Sequence, residues 1–260
     1  MKINKDGHVF TIAFTFICTI VLVFPLTLAY VGTKPIADAY WLDQHILKTL
    51  TSMALPADAK NIDQARQDYA KLEKFTVGKY VKDTNNKDIV EYAGLDYASI
   101  ATDPSKLPTV LKVTDADVSK ALQDNSYTGN YPAFFYIYTD AQGAQHYGGD
   151  FTGPGLWGNV ALAIGISPDQ TQLTGMQVLF NVETPGLGGR IAEPWFTGQF
   201  AGLKPVAGTG LIFNQSGQKA ENGFDAIAGA TISSTAVKDT VNQRALVLLK
   251  AFIQQKGGSK

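Results

Sequence analysis

The sequence has very little cysteine. Cys18 is the only one, and it lies inside an N-terminal apolar run. That excludes an internal disulfide, a thiolate metal cluster and a reactive exposed thiol from the rest of the chain. Histidine is scarce too: His8, His45 and His146 stand far apart, without metal-ligand spacing. Charge is sparse and balanced, with 17% charged residues and a net charge of −1, so nothing points to a nucleic-acid partner. No Gly-x-Gly-x-x-Gly follows a strand pattern, so no direct NADH site is expected. Neither a Ser/His/Asp nor a Cys/His set is present, and no catalytic side chain and no metal site are expected. Any redox chemistry therefore requires an organic cofactor.

Long apolar runs are not lacking. Val9 to Val31 is 23 residues without a charge, enough at about 1.5 Å per residue to cross a hydrocarbon core of about 30 Å. A signal peptide would have a shorter apolar region and a small-x-small cleavage site. Here Gly32-Thr33-Lys34-Pro35 comes next, there is no Ala-x-Ala site, and the surroundings of Cys18 form no lipobox. The run reads as a retained single-pass anchor. Lys2 and Lys5 before it favour a cytoplasmic N-terminus, against which Lys34 counts on the far side. Thr11, Thr15 and Thr19 share one face. They read equally as hydroxyls bonded to the preceding turn and as a stripe for packing on another membrane helix. A single anchor without an internal charge forms no ion pathway by itself.

Beyond the anchor, 32–125 reads as a mixed helical segment, with helices over Tyr40–Leu55 and Asp58–Phe75. The second carries Ile62, Ala65, Tyr69 and Leu72 on one face. A polar turn at Thr84–Asp88, a loop between Pro104 and Pro108 and a short helix over Asp115–Leu122 come after it. The period changes at Tyr131. Strands are expected over Tyr131–Tyr138, Gln145–Asp150, Asn159–Ser167 and Gly175–Glu183, with turns at Asp140–Gly143 and Ser167–Gln170. A short helix over Pro194–Phe200, a further strand within Leu203–Phe213 and a closing amphipathic helix complete the pattern. The closing helix carries Val237, Val241, Ala245, Leu248 and Phe252 on one stripe, widened by Leu246 and Leu249. The expectation is an α+β fold: one transmembrane helix, then a soluble domain with an antiparallel sheet packed against helices. The boundaries are 1–8 cytoplasmic, 9–31 transmembrane, 32–125 helical, 126–256 the sheet domain and 257–260 a tail.

Three glycine-bearing stretches remain. Gly155-Leu156-Trp157-Gly158 and Glu183-Thr184-Pro185-Gly186-Leu187-Gly188-Gly189 sit at opposite ends of neighbouring strand candidates. Each is compatible with a simple tight turn. A Trp between glycines, however, sets a large flat ring beside accessible backbone, which suits one face of an isoalloxazine. The third is Asp225-Ala226-Ile227-Ala228-Gly229-Ala230-Thr231-Ile232-Ser233-Ser234. Ser233 or Ser234 is the expected N-cap of the closing helix. Gly229 and Ala230 leave the turn uncovered, and Thr231 sets a hydroxyl near free N–H groups and the positive helix end, an environment that favours phosphate.

Asp-x-x-x-Gly-Ala-Thr-x-Ser after a Gly-rich loop resembles the flavin-attachment motif of the FMN-binding domain family. In that family a flavin transferase joins FMN through its phosphate to the hydroxyl of the Thr that ends Ser/Thr-Gly-Ala-Thr. The resemblance implies a covalent FMN on Thr231, with Asp225, Gly229 and Ala230 recognised by the transferase. Ala228 stands where the family has Ser or Thr. It further implies Leu156, Trp157, Thr184, Gly186 and Leu187 near the flavin ring, and Gly229, Ala230 and Ser233 near the attachment point. The single anchor, the Glu-Thr-Pro-Gly-Leu-Gly loop and the Gly-Ala-Thr site occur in two branches. These are the anchored subunits of sodium-translocating NADH:quinone oxidoreductases and of Rnf electron-transport complexes. The long segment between anchor and sheet favours the first. The resemblance thus implies a bacterial inner-membrane electron relay, its soluble domain outside the cytoplasm, working with the other subunits of its complex. A flavin-free anchored binding domain is the rival from another class.

Overall fold

The computed structural model describes residues 7–126, 128–215 and 218–256. Lys2, Lys5 and the tail 257–260 lie outside the described residues. The chain divides into two units, Met1–Leu42 and Asp43–Lys260.

The first unit lies on helix α1, His8–Ser52, which continues through Pro25 and Pro35. It is long and apolar enough to cross a membrane. Its threonine hydroxyls turn back on their own helix: Thr15 donates to the Thr11 carbonyl, and Thr19 to that of Thr15, both at 2.8 Å. This satisfies each hydroxyl without a neighbour.

In the second unit a seven-stranded antiparallel sheet, counted among the described residues, runs in the order β2-β1-β4-β5-β6-β7, with β3 also paired to β1. The strands are β1 Glu73–Lys82, β2 Asp88–Tyr92, β3 Val110–Lys112, β4 Phe134–Thr139, β5 Gln145–Pro154, β6 Asn159–Ile166 and β7 Leu173–Phe180. Short helices fill the connections: α2 Ile62–Ala70, α3 Tyr97–Thr102, α4 Asp115–Asp124 and α5 Pro194–Thr197. A second, two-residue parallel pair joins β8 Ile212–Phe213 to β9 Gly223–Phe224. The closing helix runs as α6 Thr231–Thr240, a π-helical turn Val241–Ala245, and α7 Leu246–Gln255.

Several expectations give way here. The helix expected over Tyr40–Leu55 is the end of α1 rather than a separate element. The one expected over Asp58–Phe75 stops at Ala70, and Phe75 belongs to β1. Glu73–Thr76 of β1 pair with β4, so a segment read as helical supplies three strands to the sheet. The strand expected within Leu203–Phe213 contracts to its last two residues. The remaining strands fall within a few residues of their expected limits, as does the helix at Asp115.

The larger core lies between the sheet and the closing helix. Val237, Val241, Ala245, Leu248 and Phe252 are all fully buried against Phe135, Phe151 and Leu162, and the Phe135 and Phe252 rings stack at 4.5 Å. Asn242 braces this helix: its Oδ1 accepts the Leu211 N–H at 2.7 Å and its Nδ2 donates to the Leu211 carbonyl at 2.8 Å. The last turn of α1 sits on other sheet residues, where glycine admits it. A Cβ on Gly165 would overlap the Ser52 carbonyl oxygen, and one on Gly148 would meet Met53 at 2.7 Å. Beside this contact His45 Nε2 and the Tyr136 hydroxyl both reach Asp150 Oδ2, at 2.7 and 2.6 Å.

Candidate functional site

The site forms where the β5–β6 turn, the loop after β7 and the start of α6 meet. Gly155 N–H donates to the Gly158 carbonyl at 2.7 Å and closes the turn that carries Leu156 and Trp157. Antiparallel pairing of β6 with β7, Ala161 against Phe180, brings the end of β7 alongside the start of β6. The two glycine clusters, at opposite ends in the sequence pattern, therefore share one end of the sheet.

Glu183 joins them. Its carboxylate is buried, 5% exposed. Oε1 accepts the Leu156 and Trp157 N–H groups at 2.8 and 3.2 Å, and Oε2 accepts the Ser233 hydroxyl. Three donors thus satisfy a carboxylate that burial has cut off from water. Gly155 and Gly188 make room for it: a Cβ on Gly155 would lie 2.6 Å from Oε1, and one on Gly188 2.8 Å from Oε2. In the sequence Glu183 stands inside a loop motif with nothing to mark a role of its own. Its partners lie 26, 27 and 50 positions away.

The N-cap differs from expectation. Ala230 is the N-cap of α6, without a side-chain cap, and Thr231 is the first helical residue. Ser233 and Ser234 lie inside the helix and are buried. Ser234 Oγ accepts the Ile227 N–H at 3.0 Å and donates to the Ala230 carbonyl at 3.1 Å, while Ser233 is committed to Glu183. Among the described residues, the Thr231, Ile232 and Ser233 N–H groups thus have no acceptor, the usual state of a helix start open to an anion.

Thr231, Ala228 and Gly229 are exposed. Gly229 takes φ +77° and Gly186 φ +75°, the left-handed region that glycine enters without strain. A Cβ on Gly186 would meet nothing within 4 Å, and one on Gly229 only Leu187 Cδ2 at 3.9 Å, so the space over both is open. Leu156, Trp157, Leu187 and Ile232 are large apolar residues at 47, 69, 50 and 59% exposure, and Thr184 is exposed beside them. Asp225 is exposed, but its backbone is clamped: Gln199 Oε1 accepts its N–H at 2.7 Å and Gln199 Nε2 donates to its carbonyl at 3.3 Å. Asn214 Nδ2 donates to the Asp225 carboxylate at 2.8 Å. At the rim, the Trp195 indole N–H and the Arg190 guanidinium hold Glu193 below the usual carboxylate range. Among the described residues no group of His, Cys, Asp and Glu could hold a metal ion.

The arrangement offers unpaired N–H donors, one exposed hydroxyl and open glycine backbone beside exposed flat and branched apolar side chains. This suits a ligand with an anionic end and a planar apolar end. Residues 155–245 match the family model described as FMN-binding domain. Over 88 residues, 34% of this chain and 43% of the relative, the chain is 50% identical to the G subunit of the ion-translocating oxidoreductase complex of Methanosarcina acetivorans. It is 28% identical over 261 residues to the C subunit of the Na(+)-translocating NADH-quinone reductase of Neisseria meningitidis, covering 91% of this chain and 89% of that one. The crystal structure of Shewanella oneidensis NqrC superposes with a TM-score of 0.56 at 18% identity, covering 85% of this chain and all of that one. The chain shares the fold of that structure, and its sequence resembles the Neisseria reductase protein along nearly its whole length.

Proposed function

We propose, from the premise of an FMN-binding domain over 155–245, that this chain is a membrane-anchored electron-transfer flavoprotein subunit of an ion-translocating oxidoreductase complex. The finer reading is a sodium-translocating NADH:quinone oxidoreductase, its FMN joined by a phosphoester to Thr231. The single observation that carries the attachment is Thr231 itself: an exposed hydroxyl on the first residue of a ten-residue helix whose leading N–H groups have no acceptor.

The residues fit the group. The unpaired N–H groups of the exposed Thr231 and Ile232 suit its phosphate. The glycine backbone at 186 and 229 leaves room for close approach, and Trp157, Leu156 and Leu187 supply apolar surface for a planar ring. Bound FMN supplies one-electron redox chemistry, which no side chain here provides. The protein's part is to retain it. Ala228 is exposed and bonds nothing through its side chain, so its departure from Ser or Thr leaves the acceptor hydroxyl unaltered. Asp225, presented by Gln199 and Asn214, is the feature offered to a flavin transferase. The single anchor suits a domain held outside the cytoplasm, next to other membrane subunits.

The test is intact-mass measurement of protein made in its own host. One added FMN phosphoester is expected on the wild type, lost completely in Thr231→Ala and retained in Thr231→Ser. An unmodified wild-type mass overturns the covalent reading and leaves a flavin-free binding domain. The 50% identity to the Methanosarcina protein over part of the chain favours the Rnf-type alternative, and co-purification decides between the two. NADH–quinone subunits in the purified complex support the first; ferredoxin-linked ones support the second.

A further inference from the structure

We propose that Glu183 is the positioning residue of this site, the group that fixes the Trp157 turn against the helix start bearing Thr231. The inference rests on the flavin reading above and deepens it.

Its basis is connectivity. The Leu156–Trp157 turn, the loop after β7 and α6 have no common covalent neighbour, and the turn lies more than seventy residues before the helix. One buried carboxylate holds two backbone N–H groups of the turn on one oxygen and the Ser233 hydroxyl on the other. Trp157 is 69% exposed and Leu156 47% exposed, so their side chains contribute little packing to hold the turn in place. Val182 supports it from one side, where a Cβ on Gly158 would come within 2.5 Å of Val182 Cγ2. The carboxylate is thus the polar tie between the exposed indole and the helix that starts at Thr231. Gly155 and Gly188 follow from it, because any side chain at either would displace the carboxylate or its partners. A site whose parts are preset in this way loses less order when a ligand binds.

The readout is flavin emission, which a neighbouring indole quenches. Wild type, Glu183→Ala, Glu183→Gln, Trp157→Phe and the Glu183→Ala/Trp157→Phe double variant are made in the native host. Each is measured for mass, flavin emission and thermal midpoint, with the core variant Leu248→Ala as the stability control. Trp157→Phe is expected to lose the quenching. Glu183→Ala should still carry FMN, lose quenching to the same extent with Trp157 intact, and show no further loss in the double variant, the signature of two residues acting as one unit. Glu183→Gln should restore quenching, because its amide oxygen still accepts both N–H groups. Leu248→Ala should lower the midpoint and leave emission unchanged. Full quenching in a flavin-bearing Glu183→Ala protein, or additive losses, would falsify the assignment. Where Glu183→Ala does not fold, Ser233→Ala carries the test: it cuts only the helix arm, and partial loss supports the tie while unchanged emission overturns it. A wild-type mass without FMN overturns the flavin reading and this inference with it, an outcome distinct from attached FMN with indifferent emission.

Discussion

Asp150 shows how single side chains constrain this protein. It lies 1% exposed on β5, and both Tyr136 and His45 reach the same carboxylate oxygen. Tyr136→Phe removes one donor from a buried carboxylate, and a loss of about 1–3 kcal/mol is expected in denaturant unfolding. Tyrosines also carry a pH dependence. Burial, then nearby aspartates, pushes Tyr92 and Tyr131 up to about 12, and Tyr69 and Tyr136 well above their ordinary value. A tyrosine raised in the folded state stabilises it fully below the unfolded value of about 10, and that contribution is lost as pH rises further. The thermal midpoint should therefore fall between about pH 10 and 12. Absorbance at the tyrosinate band should show Tyr69 and Tyr136 titrating only with unfolding; early titration of these two in the folded protein contradicts their burial. At this scale the sequence marks Thr231, Trp157 and the glycines as candidates, because their types are unusual where they stand. Glu183 and Asp150 were not, because a carboxylate's role depends on donors brought from distant segments.

Among the elements, β1 shows why a strand escaped the sequence. Lys74 to Gly78 are buried without interruption, so the period-2 alternation that identifies a half-exposed strand is absent. Ile62, Ala65, Tyr69 and Leu72 meanwhile sustain helical spacing up to its first residues. Lys74 adds to the deception: a charged residue 3% exposed, it donates to the Tyr69 and Leu72 carbonyls at 2.7 and 3.0 Å and pairs with Asp115 at 2.9 Å. The β8–β9 pair is two residues long, too short to show any period. The seat of α1 on β6 gives a test at this scale. Gly165→Ala forces a methyl onto a backbone carbonyl, where neither side can yield, and a cost of about 1–3 kcal/mol is expected. Gly94→Ala, with nothing within 4 Å, should change stability by less than about 0.5 kcal/mol. Equal effects in denaturant melts would contradict the contact.

For the whole molecule, the apolar run and the later strands were readable from composition and period, whereas the limit of the anchor helix was not. The apolar stretch ends at Val31, yet helix continues to Ser52, and its final turns with the residue after them carry His45, Leu50 and Met53, at most 5% exposed. A chain beginning at Asp43 keeps these residues and should fold as a monomer without detergent. One beginning at Ala54 loses them and should melt at a clearly lower temperature, by circular dichroism; identical melts would show that the segment is dispensable. The π turn has its own consequence. A regular α-helix advances about 100° per residue, and the five residues Val241–Ala245 take up one residue more than that winding allows. Removing any one of them would let the helix close smoothly, but the two ends would then be out of phase. With Phe252 kept against Phe135, the opening residue would face a new direction; with Thr231 kept outward, the hydrophobic half would rotate toward water. The surplus residue is thus what allows one rod to serve two compass bearings at once.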